Sequence, residues 1–346
     1  MTLHLQIYVL FVTFTNNKPK RAMKETYHLC LSSHEEVMFR NQEDLIIGFN
    51  YLAVTALETD SALLADGFLS THHHEVVRTD DPIALGRRNR YAYTRYFNSK
   101  YHRKGSLGEG QIFTLKVDGL YHTQALLNYV MRQGLHHGLA TTAFGYMHSS
   151  INSVFRKDLG KNDVPALMEE RKRHLFLPFN TKVPSNYRMG SNGLLLREDI
   201  EDTSYVESVY VSPRNFMFQM NRISDGKDVA EQQRENSLPA VTLESVERGV
   251  PGFDPSKALV AEQGRVNKNR LTDIELCHII DDVILPSRYS RGGDGHSIYL
   301  LSERARADLG NTIWKEYKRV QFKRCDSPFS EKIITEDQLR RCLCIK

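Results

Sequence analysis

Between residues 27 and 138 the hydrophobic period switches repeatedly between that of a strand and that of a helix, with little slack between segments. This alternation limits the fold more than any other feature. Tyr27 to Ser33 alternates as a strand does. Asn41 to Ala62 carries Leu45, Ile46, Phe49, Leu52 and Ala53 at helical spacing, with Asn41 as the cap and Glu43 and Asp44 in the first turn. Leu63 to Val77 follows; its second half ends in β-branched residues and reads as a strand, closed by Asp80, Asp81 and Pro82. Ile83 to Lys104 reads as a basic helix, Gly105 to Gly110 as a turn and Gln111 to Val117 as another strand. Tyr121 to His137 then reads as a helix with Gly138 at its C′ position. Short connections between such segments predict one compact α+β domain ending near Ile151.

Two features inside this domain could carry chemistry. In Thr71-His72-His73-His74-Glu75, side chains two apart share one face of a strand. His72 and His74 therefore point the same way and could share a divalent metal, while His73 faces the other side. The run also fits a polar strand end with three exposed histidines. On the last helix, Leu127, Met131 and Leu135 form an apolar stripe widened by Leu126 and Val130. Tyr129 and Gln133 stand four apart on one face of it, a spacing equally common in structural amphipathic helices.

Read in order, the segments His72-His73-His74, Tyr93-Thr94-Arg95-Tyr96-Phe97-Asn98, Gly105-Ser106-Leu107-Gly108-Glu109-Gly110 and Tyr129-Val130-Met131-Arg132-Gln133-Gly134-Leu135-His136-His137-Gly138-Leu139 resemble the HUH superfamily of single-strand nucleases. The nearer resemblance is to its single-tyrosine transposases, of the insertion-sequence and REP-associated types, over roughly residues 25 to 151. It implies an antiparallel HUH-nuclease sheet with helices packed on it, followed by a mostly helical C-terminal region. It further implies a metal-dependent single-stranded DNA endonuclease and strand transferase, acting next to DNA hairpins as a monomer or homodimer. In that scheme His72, His74 and Gln133 hold Mg²⁺ or Mn²⁺, and Tyr129 attacks phosphorus to leave a 5′-phosphotyrosine and a free 3′-hydroxyl. Imidazole and amide ligands favour Mn²⁺ over Mg²⁺. The chain departs from the pattern at His73, where an apolar residue is usual, at Gly108 for an aromatic, at Gln133 for asparagine and at Gly134 for proline. A histidine in the core at position 73 would need a hydrogen-bond partner. Two other readings stay open: a metal-dependent hydrolase using His72, His74 and Glu75 with water as nucleophile, and a DNA-binding regulator descended from a transposase that has lost catalysis.

The charge pattern suits the same substrate. Arg87, Arg88, Arg90, Arg95, Lys100, Arg103 and Lys104 interleave with Tyr91, Tyr93, Tyr96, Phe97 and Tyr101, and no acidic residue falls between Ile83 and Leu107. The cations could neutralise phosphates and the rings could stack on unpaired bases, unless the aromatic side packs into the core. The whole chain is only mildly basic, with 46 Lys and Arg against 42 Asp and Glu, which permits a polyanionic partner without requiring one.

With 346 residues there is room for more than one domain. We expect an N-terminal extension over residues 1–22, a nuclease domain over 23–155 and a mainly helical accessory region over 156–346, loop-rich at about 223–256. The apolar run Leu3 to Phe14 is too short to span a bilayer and lacks the flanks of a signal peptide, and Met23 is a plausible native start. Helices are expected over Leu271 to Leu285, Ser302 to Tyr317 and Thr335 to Leu343, the last opened by a capping box from Thr335 to Gln338. Five irregularly spaced cysteines (Cys30, Cys277, Cys325, Cys342 and Cys344) in a chain of this size point to a reduced, cytoplasmic protein. Cys342 and Cys344 lack the second ligand pair that a zinc motif needs.

Overall fold

The computed structural model describes residues 24–221 apart from 34, 109 and 164, together with residues 269–289 and 297–345. The expected N-terminal extension, the start at Met23 and the loop-rich segment lie outside the described residues.

The fold is α+β. Four strands, β1 (Glu25–Ser32), β2 (Ala62–Phe68), β3 (His72–Thr79) and β4 (Phe113–Val117), form an antiparallel sheet in the order β2-β3-β1-β4. Helix α1 (Gln42–Glu58) links β1 to β2, α2 (Pro82–Tyr101) links β3 to β4, and α3 (Leu120–Met131) follows β4. Asn41 caps α1 as expected, its side chain accepting from the Asp44 amide at 2.9 Å.

One strand was not anticipated. The stretch 62–79 is a β-hairpin, because Ala62–Phe68 pairs along β3. Asp66 and Gly67 resemble a turn in sequence, yet both are inside. The Asp66 carboxylate is forked by the Arg197 guanidinium at 2.7 and 3.1 Å, which offsets part of the cost of burying it. At Gly67 α3 lies close to the sheet: a Cβ there would stand 2.7 Å from the Val130 carbonyl oxygen.

Each face of the sheet has its own core. Directly opposed residues of antiparallel strands share a face, so the pairing of Leu31 with His73 and of Leu29 with Glu75 puts these four on one side with Val77 and Phe68. That side packs against α1 and α2 through Leu45, Phe49, Leu52, Leu85, Tyr93 and Phe97. The other side carries His72, His74, Val76 and Ala65, and it packs against α3 through Leu126, Leu127 and Val130.

Residues beyond 155 add to both cores. The Asn50 amide donates to the carbonyls of Phe176 and Gly193 at 3.0 and 2.7 Å, holding the 170–197 segment on α1. Helices α5 (Thr203–Tyr210) and α6 (Pro213–Asn221) bury Val206, Tyr210, Phe216 and Met220 against α3. The C-terminal helices are α7 (Asp273–His278) and α8 (Leu285–Tyr289), joined by a π-helical stretch, then α9 (Glu303–Val320) and α10 (Glu336–Leu343). They enclose a third core of Leu276, Ile280, Leu309, Ile313, Leu339 and Leu343. The Thr335–Gln338 capping box is present. Buried Arg40 ties this module to the sheet domain, forking Asp281 at 2.8 and 2.9 Å and donating to the Cys342 carbonyl at 2.9 Å. All five cysteines are free thiols, and no helix among the described residues is long and apolar enough to cross a membrane.

Because the obstacle at position 67 is main chain, Gly67→Ala should lower stability by about 1–3 kcal/mol through overpacking. It should also reduce any activity that depends on α3. Urea unfolding with an unchanged midpoint would show that α3 does not lean on the sheet at this point.

Candidate active site

The strand alternation holds. His72, His73 and His74 are 3%, 2% and 0% exposed, so the run is not a solvated strand end. His72 and His74 share the α3 face, with ring centroids 5.1 Å apart. Burial pushes the His72 imidazole down to about 3 and that of His74 well below the usual range, so both rings are neutral at pH 7. Neutral imidazole is the form that ligates a metal. The Nδ1 of His72 lies 3.0 Å from Thr71 Oγ1, and its Nε2 is buried with no hydrogen-bond partner.

His73 faces the other core, against Phe68 at 4.6 Å and Phe39 at 5.9 Å between ring centroids. The hydrogen-bond partner expected for it is not there. Its Nε2 lies 3.3 Å from Glu75 Oε1 without forming a hydrogen bond, and neither ring nitrogen has a partner. Burial drives both groups to their neutral forms, His73 down to about 3 and Glu75 up to about 8 against a single hydrogen bond from Asn89. Glu75 is therefore on the opposite side of the sheet from the His72 and His74 rings. The hydrolase reading, which needs all three around one water, is corrected by this placement.

Helix α3 presents Tyr129 to the pair, its ring 5.2 Å from that of His74 and half-buried. The expected single helix to His137 is broken at Arg132, and Gln133 opens a short α4 (Gln133–His136). The Gln133 side-chain amide donates to the Tyr129 carbonyl at 3.3 Å, the acceptor that an unbroken helix would offer to the main chain at 133. Gln133 is fully buried, and its Oε1 has no hydrogen-bond partner. Gly138 ends this turn with φ +66°, as its position predicted. Gly134 leaves room for Tyr146, whose ring would be met at 2.2 Å by a Cβ; a proline there would clash in the same way.

His72 Nε2, His74 Nε2 and Gln133 Oε1 are thus three buried polar atoms without partners; the His72 and His74 rings adjoin each other, the His74 ring adjoins that of Tyr129, and the Gln133 amide bonds the Tyr129 carbonyl. Buried polar atoms are paired in the great majority of proteins. Two imidazole nitrogens and an amide oxygen are donors that Mn²⁺ accepts. No cluster of three or more His, Cys, Asp or Glu arranged for a metal occurs among the described residues.

Two neighbours escaped the sequence reading. His28 on β1 places Nε2 2.9 Å from His74 Nδ1, and the His137 ring lies 5.2 Å from that of His72. His28 shares the parity of Cys30, which pairs with His74, so its place became legible only with the β1–β3 register.

The seven basic residues expected to meet DNA are not equivalent. Helix α2 packs on the face away from His72 and His74. Lys100 is held internally by Asp44 at 2.8 Å and Glu43 at 2.9 Å, and Arg103 forks the Glu36 carboxylate. Both are structural cations in place of the phosphate contacts expected. Arg88 pairs with Glu58 at 2.7 Å on the surface, and Arg90 donates to the Gly110 carbonyl at 2.9 Å. Arg87, Arg95 and Lys104 are exposed. Most of the aromatic residues face inward: Tyr93 and Phe97 are buried, and Tyr96 and Tyr101 donate to Asp44 at 3.0 and 2.7 Å. Tyr91 is exposed, with the Arg95 guanidinium 5.8 Å from its ring.

No family model matches the chain, and no curated protein matches it. Among solved structures it is similar to a REP-associated tyrosine transposase bound to a REP hairpin, at 10% identity and a TM-score of 0.34, covering 48% of this chain and 89% of that one.

Glu75 offers a test of the buried pair. Its folded-state value of about 8 exceeds the unfolded 4.5, so the unfolded chain ionises first and wild-type stability falls as pH rises between them. Relative to wild type, Glu75→Gln should therefore gain stability from pH 4.5 to 8, on the order of 3–5 kcal/mol, and level off above that. Parallel stability curves for the two proteins would mean that Glu75 is ionised in the fold.

Proposed function

We propose that this protein is a metal-dependent single-stranded DNA endonuclease and strand transferase with Tyr129 as nucleophile. The observation that carries the reading is the adjacent pair His72 and His74, each with a buried Nε2 without a partner and with the His74 ring against that of Tyr129; Gln133 Oε1, on the same helical segment as Tyr129, is likewise buried without a partner. They fit a divalent cation, which would polarise a bound phosphate and offset the charge that builds on it.

The chain's own residues do the rest. A phenol is a weak nucleophile at neutral pH, so it needs placement more than basicity. Packing of α3 on the sheet supplies that placement. The Tyr129 oxygen forms a bond to phosphorus as the bond to the 3′-oxygen breaks; the phenol gives up its proton and the departing oxygen gains one. The product is a 5′-phosphotyrosine with a free 3′-hydroxyl. One phosphodiester replaces another, so the join reverses without ATP. The substrate proposed is single-stranded DNA beside a hairpin, with Arg87, Arg88, Arg90, Arg95 and Lys104 as the outward phosphate contacts.

Labelled hairpin-bearing single strands incubated with the protein and Mn²⁺, then denatured, should give a covalent protein–DNA adduct. Tyr129→Phe should give none. His72→Ala and His74→Ala should each reduce cleavage by at least about 100-fold. His73→Ala should retain cleavage, because that ring belongs to the other face. Binding without cleavage of any strand would favour a regulator without catalysis, and cleavage surviving Tyr129→Phe would favour water as nucleophile.

A further inference from the structure

We infer that His28 is a positioning residue for His74: its Nε2 accepts the His74 Nδ1 proton and so presents His74 Nε2 as the ligating nitrogen. The inference rests on the metal-site reading above.

Backbone register brings the two rings together. Cys30 stands directly opposite His74 and His28 opposite Val76, so His28 is the diagonal neighbour of His74 on the same face. Diagonal positions lie within reach of long or aromatic side chains. The two rings stack at 5.1 Å between centroids with 21° between planes, and the Nε2 to Nδ1 distance is 2.9 Å. Phe113 packs edge-on against the far side of His28 at 5.4 Å. Both histidines are fully buried, which keeps water from competing for the bond.

A neutral imidazole has one donor nitrogen and one acceptor. If His74 Nδ1 donates to His28, the His74 Nε2 lone pair points away from that bond, and Nε2 is the atom left without a partner. If instead His28 donated, His74 Nε2 would carry a hydrogen and could not ligate. Metal-bound histidines characteristically donate their second nitrogen to a fixed acceptor, and losing that acceptor weakens metal binding. Here the acceptor is another imidazole, where a carboxylate or carbonyl is more common. The bond is therefore between neutral groups, and it adds no negative charge beside the phosphate.

The test is Mn²⁺ affinity of the full-length protein, read from the free Mn²⁺ signal in electron paramagnetic resonance, with thermal stability measured in parallel. His28→Phe keeps the ring packing and removes the acceptor; it should weaken Mn²⁺ binding by about 10–100-fold. His28→Gln places an amide oxygen near the former Nε2 and should stay within roughly threefold of wild type, a modest change beside that loss. Wild-type affinity in His28→Phe, or equal loss in both variants, overturns the inference. If His28→Phe does not fold, His28→Leu against His28→Gln makes the same comparison. His74→Ala separates the two levels: unchanged Mn²⁺ binding in that variant overturns the metal site itself. Its loss there, with His28→Phe unaffected, removes only the role of His28.

Discussion

Strand β3 lies under helices on both sides of the sheet, and its first four residues are three histidines and a glutamate. The rest of the structure accommodates this constraint. A strand cannot turn consecutive side chains the same way, so four adjacent polar groups become two pairs in two different cores. Below α1 and α2, His73 and Glu75 meet aromatic rings and one asparagine and stay neutral. Below α3, His72 and His74 meet Tyr129, His28 and His137. Neighbours in sequence thus have unrelated chemical roles: one pair is a polar inclusion in a hydrophobic layer, and the other is part of a site with atoms to spare.

How close α3 comes to that pair depends on β2. Gly67 is opposite His74 in the register and faces the Val130 carbonyl. Its missing side chain is what lets the Tyr129 helix lie close to the sheet. Asp66 beside it is anchored by Arg197, itself buried and lying 4.0 Å over the Phe49 ring. A buried ion pair contributes little net stability. This one fixes the edge strand in register next to the candidate site.

Much of this was readable from the sequence, for specific reasons. Period-two alternation at His72 to His74 was enough to place two histidines on one face and the third on the other, and the strand register agrees. Helices α1 and α10 carried readable caps, and α2 and α9 were placed without one, all within a few residues. Strand β2 was illegible because a buried aspartate is recognisable only with its arginine, more than a hundred residues away. The split of the last helix at Arg132, where the Gln133 side-chain amide donates to the Tyr129 carbonyl, is not encoded in the apolar spacing. Lys100 and Arg103 looked like surface cations because their carboxylate partners belong to other segments. His28 needed the pairing of two strands before it could be connected with anything.

The attachment of α5 and α6 to α3 bears on how far this protein can be divided. Tyr210 donates to Asn128 at 2.7 Å, one residue before the candidate nucleophile, and Phe216 and Met220 lie in the same apolar layer as Leu126 and Val130. The helix that carries the tyrosine is clamped between the sheet and segments that follow it by some eighty residues. A fragment cut after residue 155 would leave that outer surface of α3 wet and Asn128 without its phenol. The segments after residue 155 are therefore part of what holds α3 in place. Shuffling or shortening these segments would change how firmly Tyr129 is held.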